Sequence, residues 1–424
     1  MHSDRPLSHD AGTRSRNGPH GVDTARPKQP RGTRAEGDAT ATPLARGLAI
    51  LCAFGPDKGW LGNREIALET GIPAPTVSRL LQSLVALGYL HHDDASRKYA
   101  LAPAALSLGY AAVADPGVPL GTRDHVDVLG ANSAGAAGAT RDQRASARSH
   151  ASALASASPR KPGIAMSPSS PVTLTLDRGL QVLRAFHADR APLTNGELAS
   201  RTGLPRSAVS ALTSALVDLG FLRRATGDAR FELGSNVFGI GQAYLAANPV
   251  TPLAQPFMQE LADRLDASVA LAVSDHLDML YVAHRSGARI ATPRMGVGSL
   301  VPMGTTAIGR AWLCGLPDPL RRRQIAQLTK AAGPQANAIA TGIEAAFADL
   351  RATGVCLSLG ENQRDAWSMA LPVRVGVSKT LMALSCGAVE PQPDVDAIRR
   401  RIAPALKQAA IELATLLRDV RPGP

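Results

Sequence analysis

Two short runs of polar and cationic side chains stand where nucleic acid could be read. In the first, Thr76, Ser78, Arg79 and Gln82 share the outward side of one helical stretch. In the second, Arg206, Ser207, Ser210 and Thr213 do the same, with Arg223, Arg224 and Arg230 close behind. An arginine fork can donate two parallel hydrogen bonds to guanine, and a glutamine can pair with adenine. Those are the roles open to Arg79 and Gln82 if this run meets bases. The competing reading is a solvated helix face, or phosphate contacts that position without specifying. Arg46 and Arg178 lie near helix starts, well placed for phosphate. Ala211 stands in the second run where Arg79 stands in the first, so the second readout leans on Arg206 and on DNA shape.

These residues need a frame, and Leu193 to Arg224 supplies one: helix, tight turn, helix, strand. Asn195 is the expected cap of the first helix, its side-chain oxygen accepting an orphan N–H. Thr202-Gly203 ends that helix, because glycine tolerates the left-handed conformation of a sharp turn. Val209, Leu212, Leu216 and Leu219 then recur at spacings of three and four, one apolar helical stripe. Gly220 stops the helix, Phe221-Leu222 begins a strand, and a wing turn is expected at Thr226-Gly227-Asp228. The pattern is a winged helix-turn-helix, whose second helix would enter a major groove.

The frame occurs twice. Leu44 to Tyr110 aligns without a gap on Leu176 to Gln242, at a constant offset of about 132 residues. Roughly 25 of about 67 positions are identical. The shared residues are mainly those a core and a turn require, and the outward-facing ones mostly differ. In the first copy the recognition helix is expected over Thr76 to Leu87, flanked by Pro73 and Pro75. His91, His92, Arg97 and Lys98 fall in or beside its wing.

A chain of 424 residues suggests two to four domains. Its net charge of +11 favours a polyanionic partner, although the excess is spread thinly. Four cysteines stand far apart without a C-x-x-C pair, and the ten histidines show no metal spacing. Buried thiols in a reducing cytoplasm, with no metal and no cofactor, are the expectation. The sequence shows neither a membrane span nor a secretory signal. Residues 1–43 read as a disordered tail and residues 44–110 as the first winged helix. Residues 111–170, dominated by Ala, Gly, Ser, Arg and Pro, read as a flexible linker. Met166 lies within it, either an ordinary methionine or an internal start. Residues 171–245 are the second winged helix, with Phe238, Ile240 and Tyr244 opening a linking helix.

Residues 246–424 read as a third domain of separate strand and helix runs, which suggests an antiparallel sheet with helices beside it. Strands are expected over Ser268–Ser274, Met279–His284, Arg289–Met295, Val355–Leu359, Ser368–Val373 and Thr380–Ser385. Helices are expected over Pro252–Asp266, Thr305–Leu316, Pro319–Leu328, Gly342–Thr353 and Val395–Leu417. The fold class is therefore α+β.

Four segments resemble the IclR family of bacterial transcriptional regulators. They are Leu176-Asp177-Arg178-Gly179-Leu180; Glu197-Leu198-Ala199 through Pro205-Arg206-Ser207 and on to Leu219-Gly220-Phe221; Met303-Gly304-Thr305-Thr306-Ala307-Ile308-Gly309-Arg310-Ala311; and Gly354-Val355 through Gly360-Glu361, followed by Ala370-Leu371-Pro372-Val373 and Ala383-Leu384-Ser385. The resemblance covers about residues 172–420, and residues 44–110 resemble a second copy of the DNA-binding half. It implies a GAF-like effector domain behind the winged helices, homodimers or homotetramers on near-palindromic operators, and a small-molecule effector, often an organic acid. By position, the effector pocket would draw on Met303, Thr305, Thr306, Glu361, Trp367, Ser385 and Cys386. The extra amino-terminal winged helix departs from the family layout. The loop from Glu361 to Trp367 also lacks the glycine expected near its middle.

Two other classes remain. A non-catalytic scaffold could use winged helices to bind proteins, which a recognition helix poor in long cations mildly favours. An enzyme in residues 252–420 would need a nucleophile elbow, phosphate loop, metal set or paired carboxylates, and the sequence has none of them. The sign of regulation depends on where an operator lies.

Overall fold

The computed structural model describes residues 36–113, 171–186, 191–225, 227, 229–290, 295–362 and 364–420. The tail up to residue 35, the linker from residue 114 with Met166, and the wing residues Thr226 and Asp228 lie outside them. In the first winged helix, α1 (Glu36–Cys52), α2 (Asn63–Thr70) and α3 (Ala74–Ala86) surround a leucine-rich core. The short strand β1 (Leu61–Gly62) pairs with β3 (Lys98–Leu101), which pairs with β2 (Leu90–Asp93) to form the wing. Helix α4 (Pro103–Val113) follows.

Two boundaries differ from expectation. Helix α1 begins at Glu36, inside the expected tail, and α4 runs to Val113, inside the expected linker. Extending an existing helix adds one hydrogen bond per residue fixed, so a packed segment carries weakly helical neighbours with it.

The second winged helix repeats the order: α5 (Pro171–Arg184), α6 (Asn195–Thr202), α7 (Arg206–Asp218), β4 (Leu222–Arg224), β5 (Phe231–Leu233) and α8 (Ser235–Ala247). The cap of α6 is Thr194 rather than Asn195. Its hydroxyl accepts from Glu197 N at 3.2 Å while Thr194 N donates to the Glu197 carboxylate at 2.7 Å, a reciprocal capping box. Gly203 takes φ +69° at the C-terminal end, as the turn requires.

The third domain opens with α9 (Val250–Leu265) and closes with α13 (Val395–Leu416). Between them lies a six-stranded antiparallel sheet. Its strands are β6 (Ser268–Asp275), β7 (Asp278–Ser286), β8 (Leu300–Pro302), β9 (Cys356–Leu359), β10 (Ala366–Val375) and β11 (Thr380–Val389), in the spatial order β8-β7-β6-β11-β10-β9. The third described strand is Leu300–Pro302; the strand expected over Arg289–Met295 falls mostly on residues 291–294, outside the described residues. Arg289 sits in a turn after Gly287, and Gly298 takes φ +90° two residues before the edge strand.

Strand alternation divides the sheet into two faces. Val269, Leu271, Val273, Trp367, Met369, Leu371, Leu384 and Cys386 belong to a core with α9 and α13 that continues into both winged helices. Ala270, Ala272, Tyr281, Ala370 and Ala383 face a second core. That core is built with α10 (Ala307–Gly315), α11 (Asp318–Ala332) and α12 (Ala336–Thr353).

Candidate functional site

The recognition helices present what a DNA surface needs, with two corrections. On α3, Arg79 and Gln82 are exposed and Thr76 is half-buried. Ser78 turns inward, accepting from Asn63 Nδ2 at 2.5 Å. On α7, Arg206, Ser207 and Ser210 are exposed. Thr213 is fully buried, and its hydroxyl donates to Asn195 Oδ1 at 3.0 Å, so it clamps α7 to α6 and cannot touch DNA. The first copy carries Leu81 at the equivalent position, also fully buried, and that comparison marks Thr213 as a core residue. Arg46 is exposed and Arg178 half-buried, and both lie inside their helices, α1 and α5, rather than near the starts, because those helices begin at Glu36 and Pro171.

The cations of the second wing are already engaged. Arg223 pairs with Glu232 at 3.2 Å, Arg224 lies over the Phe231 ring at 5.1 Å, and Arg230 donates to Pro192 O at 3.1 Å. Arg223 and Arg224 remain exposed enough to meet phosphate.

In the third domain, a cavity of about 800 Å³ opens between the sheet and the start of α10. Its floor follows from strand register. One row across the sheet is Ser286, Ser268, Gly387, Ser368 and Ser358; the next is His284, Ala270, Ser385, Ala370 and Cys356. Apart from His284, no residue in either row is large enough to fill the space above it, and the serines leave hydroxyls in the floor. Single-sequence reading missed these rows, although Ser-x-Ala recurs at residues 268–270 and 368–370 and Ser-x-Gly at 385–387.

Of the residues named by position, Thr306, Glu361, Trp367, Ser385 and Cys386 border the cavity, and Met303 and Thr305 do not. Met303 is wholly buried in the second core, and Thr305 lends its carbonyl to Ser358 Oγ at 3.4 Å. Trp367 and Cys386 belong by alternation to the opposite face. The Trp367 indole N–H donates to Glu390 at 3.0 Å, and the Cys386 thiol is pushed up to about 12 by burial. Trp367 thus borders the cavity from a strand position while its ring packs in the opposite core. Thr306 caps α10, accepting from Gly309 N at 3.3 Å and donating to Pro302 O at 2.7 Å.

Glu361 is held by Arg310. The guanidinium is 4% exposed, bonds both carboxylate oxygens at 2.7 and 2.5 Å, and gives its Nε–H to Gly304 O at 2.9 Å. The pairing offsets Glu361's negative charge at the cavity edge, which removes an objection to an anionic ligand. The loop that lacks the expected glycine makes its turn with Asp365, at φ +59°. His284, beside Tyr281 at 5.9 Å between ring centres, is pushed down to about 4 by burial and then by Arg285, so it is neutral at pH 7. Arg289 and Ile290 complete one rim.

Cys356 and Cys386 are buried, Cys314 is half-buried, and Cys52 is exposed, against the expectation for that residue. Among the described residues, no group of His, Cys, Asp and Glu could hold a metal, and no helix is long and apolar enough to cross a membrane.

A paired winged-helix reader joined to a domain with a ligand-sized cavity defines a ligand-responsive transcription factor. The model for the IclR helix-turn-helix domain matches residues 43–94 and 175–226, and that for the bacterial transcriptional regulator IclR C-terminal domain matches residues 242–415. The chain belongs to the IclR family. It is 28% identical over 242 residues to the Pca regulon regulatory protein of Pseudomonas putida, covering 56% of this chain and 82% of that one. It is 25% identical over 252 residues to the HTH-type transcriptional regulator XynR of Escherichia coli, covering 58% and 98%. The crystal structure of an IclR family transcriptional regulator from Brucella abortus matches with 33% identity and TM-score 0.51, covering 57% of this chain and 90% of that one.

Proposed function

We propose that this regulator binds an organic acid in the cavity of its third domain and changes its hold on operator DNA in response. The observation that carries the reading is the cavity itself: two register rows of small residues supply hydroxyls, the first turn of α10 borders it through Thr306 and Ile308, and the one acid at its edge is neutralised by Arg310. A helix start offers N–H groups and a positive dipole end to a carboxylate. The volume lies within the range of small-molecule sites. Two relatives carry organic acids in their names, the p-hydroxybenzoate hydroxylase transcriptional activator of Acinetobacter baylyi and the acetate operon repressor of Salmonella typhimurium.

In this reading Thr306, Ser385, Ser268 and Ser358 contact the acid and His284 donates or accepts one hydrogen bond as a neutral imidazole. Arg79, Gln82, Arg206, Ser207 and Ser210 meet base edges, and Arg46, Arg178, Arg223, Arg224 and Arg230 meet phosphate. The protein works in the cytoplasm, with its third domains free to assemble chains into homodimers or homotetramers. Isothermal titration of the full chain with a panel of aromatic and aliphatic monocarboxylic acids tests the reading. Saturable binding of at least one acid, lost in Ser385→Phe, supports it. Uptake of uncharged analogues alone would refute the acid assignment.

A further inference from the structure

We propose that one chain reads a complete operator made of two unequal half-sites, its two winged helices forming an intrachain pseudo-twofold pair. This inference rests on the DNA-binding function of the family.

The pairing is visible in two reciprocal contacts. Leu44 and Gly47 of the first copy correspond to Leu176 and Gly179 of the second. A Cβ placed on Gly179 would overlap Leu44 Cδ1, and a Cβ placed on Gly47 would overlap Leu176 Cδ1. Residue i meets j as j meets i, which is the signature of an isologous interface. Both leucines are fully buried. The linking helices α4 and α8, equivalent in the repeat, also pack against each other, with Leu108 and its counterpart Ile240 both buried. A twofold of this kind relates the recognition helices α3 and α7 in the way that reads an inverted repeat of half-sites about one helical turn apart.

The interface also specifies which copies pair. The Arg184 guanidinium of the second copy lies near the buried Tyr89 and donates to Ser107 Oγ at 3.4 Å, both from the first copy. The second copy has Phe221 and Gly239 at those positions, and the first copy has Cys52 in place of Arg184. Pairing two second copies between chains would put Gly239 and Phe221 in place of Ser107 and Tyr89, so the largely buried guanidinium would lose the Ser107 bond and keep Asp275. Pairing two first copies would set the buried Tyr89 hydroxyl against a thiol. A hydrogen bond lost from a buried charged group is costly, so the mixed pair within one chain is the favoured one.

The symmetry stops at the reading surfaces. On α3 the exposed Arg79 and Gln82 answer Ala211 and Ser214 of α7, and on α7 the exposed Arg206 answers Ala74 of α3. The long donors occupy different places along the two helices, so the two half-sites differ in sequence. Family members with one winged helix need two chains for two half-sites and read the same sequence twice; this chain would not.

The test is selection of operators from random duplexes with the full chain, followed by titration of the selected duplex and of two symmetrised versions, each carrying one half-site twice. The expected result is an inverted pair of unlike half-sites, with either symmetrised duplex bound about tenfold or more weakly. Arg79→Ala relaxes base preference in one half only and Arg206→Ala in the other; both residues are exposed, so the fold survives, and circular dichroism verifies this. A palindromic operator bound as tightly as any asymmetric one overturns the inference and leaves DNA binding intact. Recovery of no motif overturns both.

Discussion

Arg184 grips Asp275 with a single nitrogen, Nη1 lying 2.9 Å from Oδ1 and 2.7 Å from Oδ2. The pair joins α5 of the second winged helix to β6 of the ligand domain, and the aspartate side chain is only 1% exposed. Through Ser107, whose hydroxyl lies 3.4 Å from the same Nη1, the first winged helix reaches the same point. All three structured parts of the chain therefore meet at one ion-pair cluster, a physical route by which ligand and DNA can bias each other. Removing one member of a buried pair leaves the other uncompensated, at a cost of about 3–5 kcal/mol. Arg184→Ala is expected to lose stability of this order in urea unfolding, and Asp275→Asn, which keeps an acceptor, less. Burial pushes the Asp275 carboxyl up, but the His276 hydrogen bond and Arg184 outweigh it and hold the group at about 2. Its folded value is depressed, so the pair's contribution is full above about pH 4 and is lost as pH falls toward 2.

Asp278 behaves oppositely. Burial lifts it from 3.8 to about 6, only partly countered by Arg184. A raised folded value means the stability is present below about pH 4 and declines as pH rises through 6. Full expression of that shift is worth about 3 kcal/mol at most. Asp278→Asn is expected to flatten the decline between pH 4 and 6 and to stabilise the chain at pH 7 by about 1–3 kcal/mol. Unfolding curves across that range, wild type against variant, check the sign.

Thr213→Leu distinguishes a core residue from a DNA contact. The first copy already accommodates Leu81 there. Operator affinity is expected to stay within about twofold, with stability changed by about 1 kcal/mol or less by the lost Asn195 hydrogen bond. A loss of base preference in that half-site would contradict the burial argument.

Arg310→Met should act through Glu361. Without the guanidinium, Glu361 presents an unopposed carboxylate at the cavity edge and Gly304 O loses its donor. Acid binding is expected to weaken by tenfold or more and to recover partly in Arg310→Met/Glu361→Gln. Titration of the two variants at pH 7 gives both numbers.

The repeat, both recognition helices and the sheet-and-helix character of the third domain were legible because they rest on local period and turn chemistry. Leu44 and Leu176, like Gly47 and Gly179, are identical across the repeat, yet their mutual contact is a property of pairing that no local window contains. Thr213 was misread because it lies between the polar and apolar sides of α7, where period alone cannot place a small hydroxyl; its equivalent Leu81 decides the matter. Trp367 borders the cavity as its position in the resemblance implies, yet strand parity sends its ring to the other face, which a residue's place in a motif does not reveal. Arg310 was passed over inside a glycine-rich motif because its partner Glu361 is 51 residues away. The cavity floor escaped for the same reason: Ser268, Gly387, Ser368 and Ser358 become neighbours only through register.

The central claim is that occupancy of the cavity controls DNA binding, and fluorescence anisotropy of the selected operator measures it directly. Full chain is titrated with and without a saturating acid found by calorimetry, alongside Ser385→Phe. The account predicts that the acid shifts operator affinity by about fivefold or more, and that Ser385→Phe binds operator normally but no longer responds. An acid that fills the cavity and leaves operator affinity unchanged would contradict it.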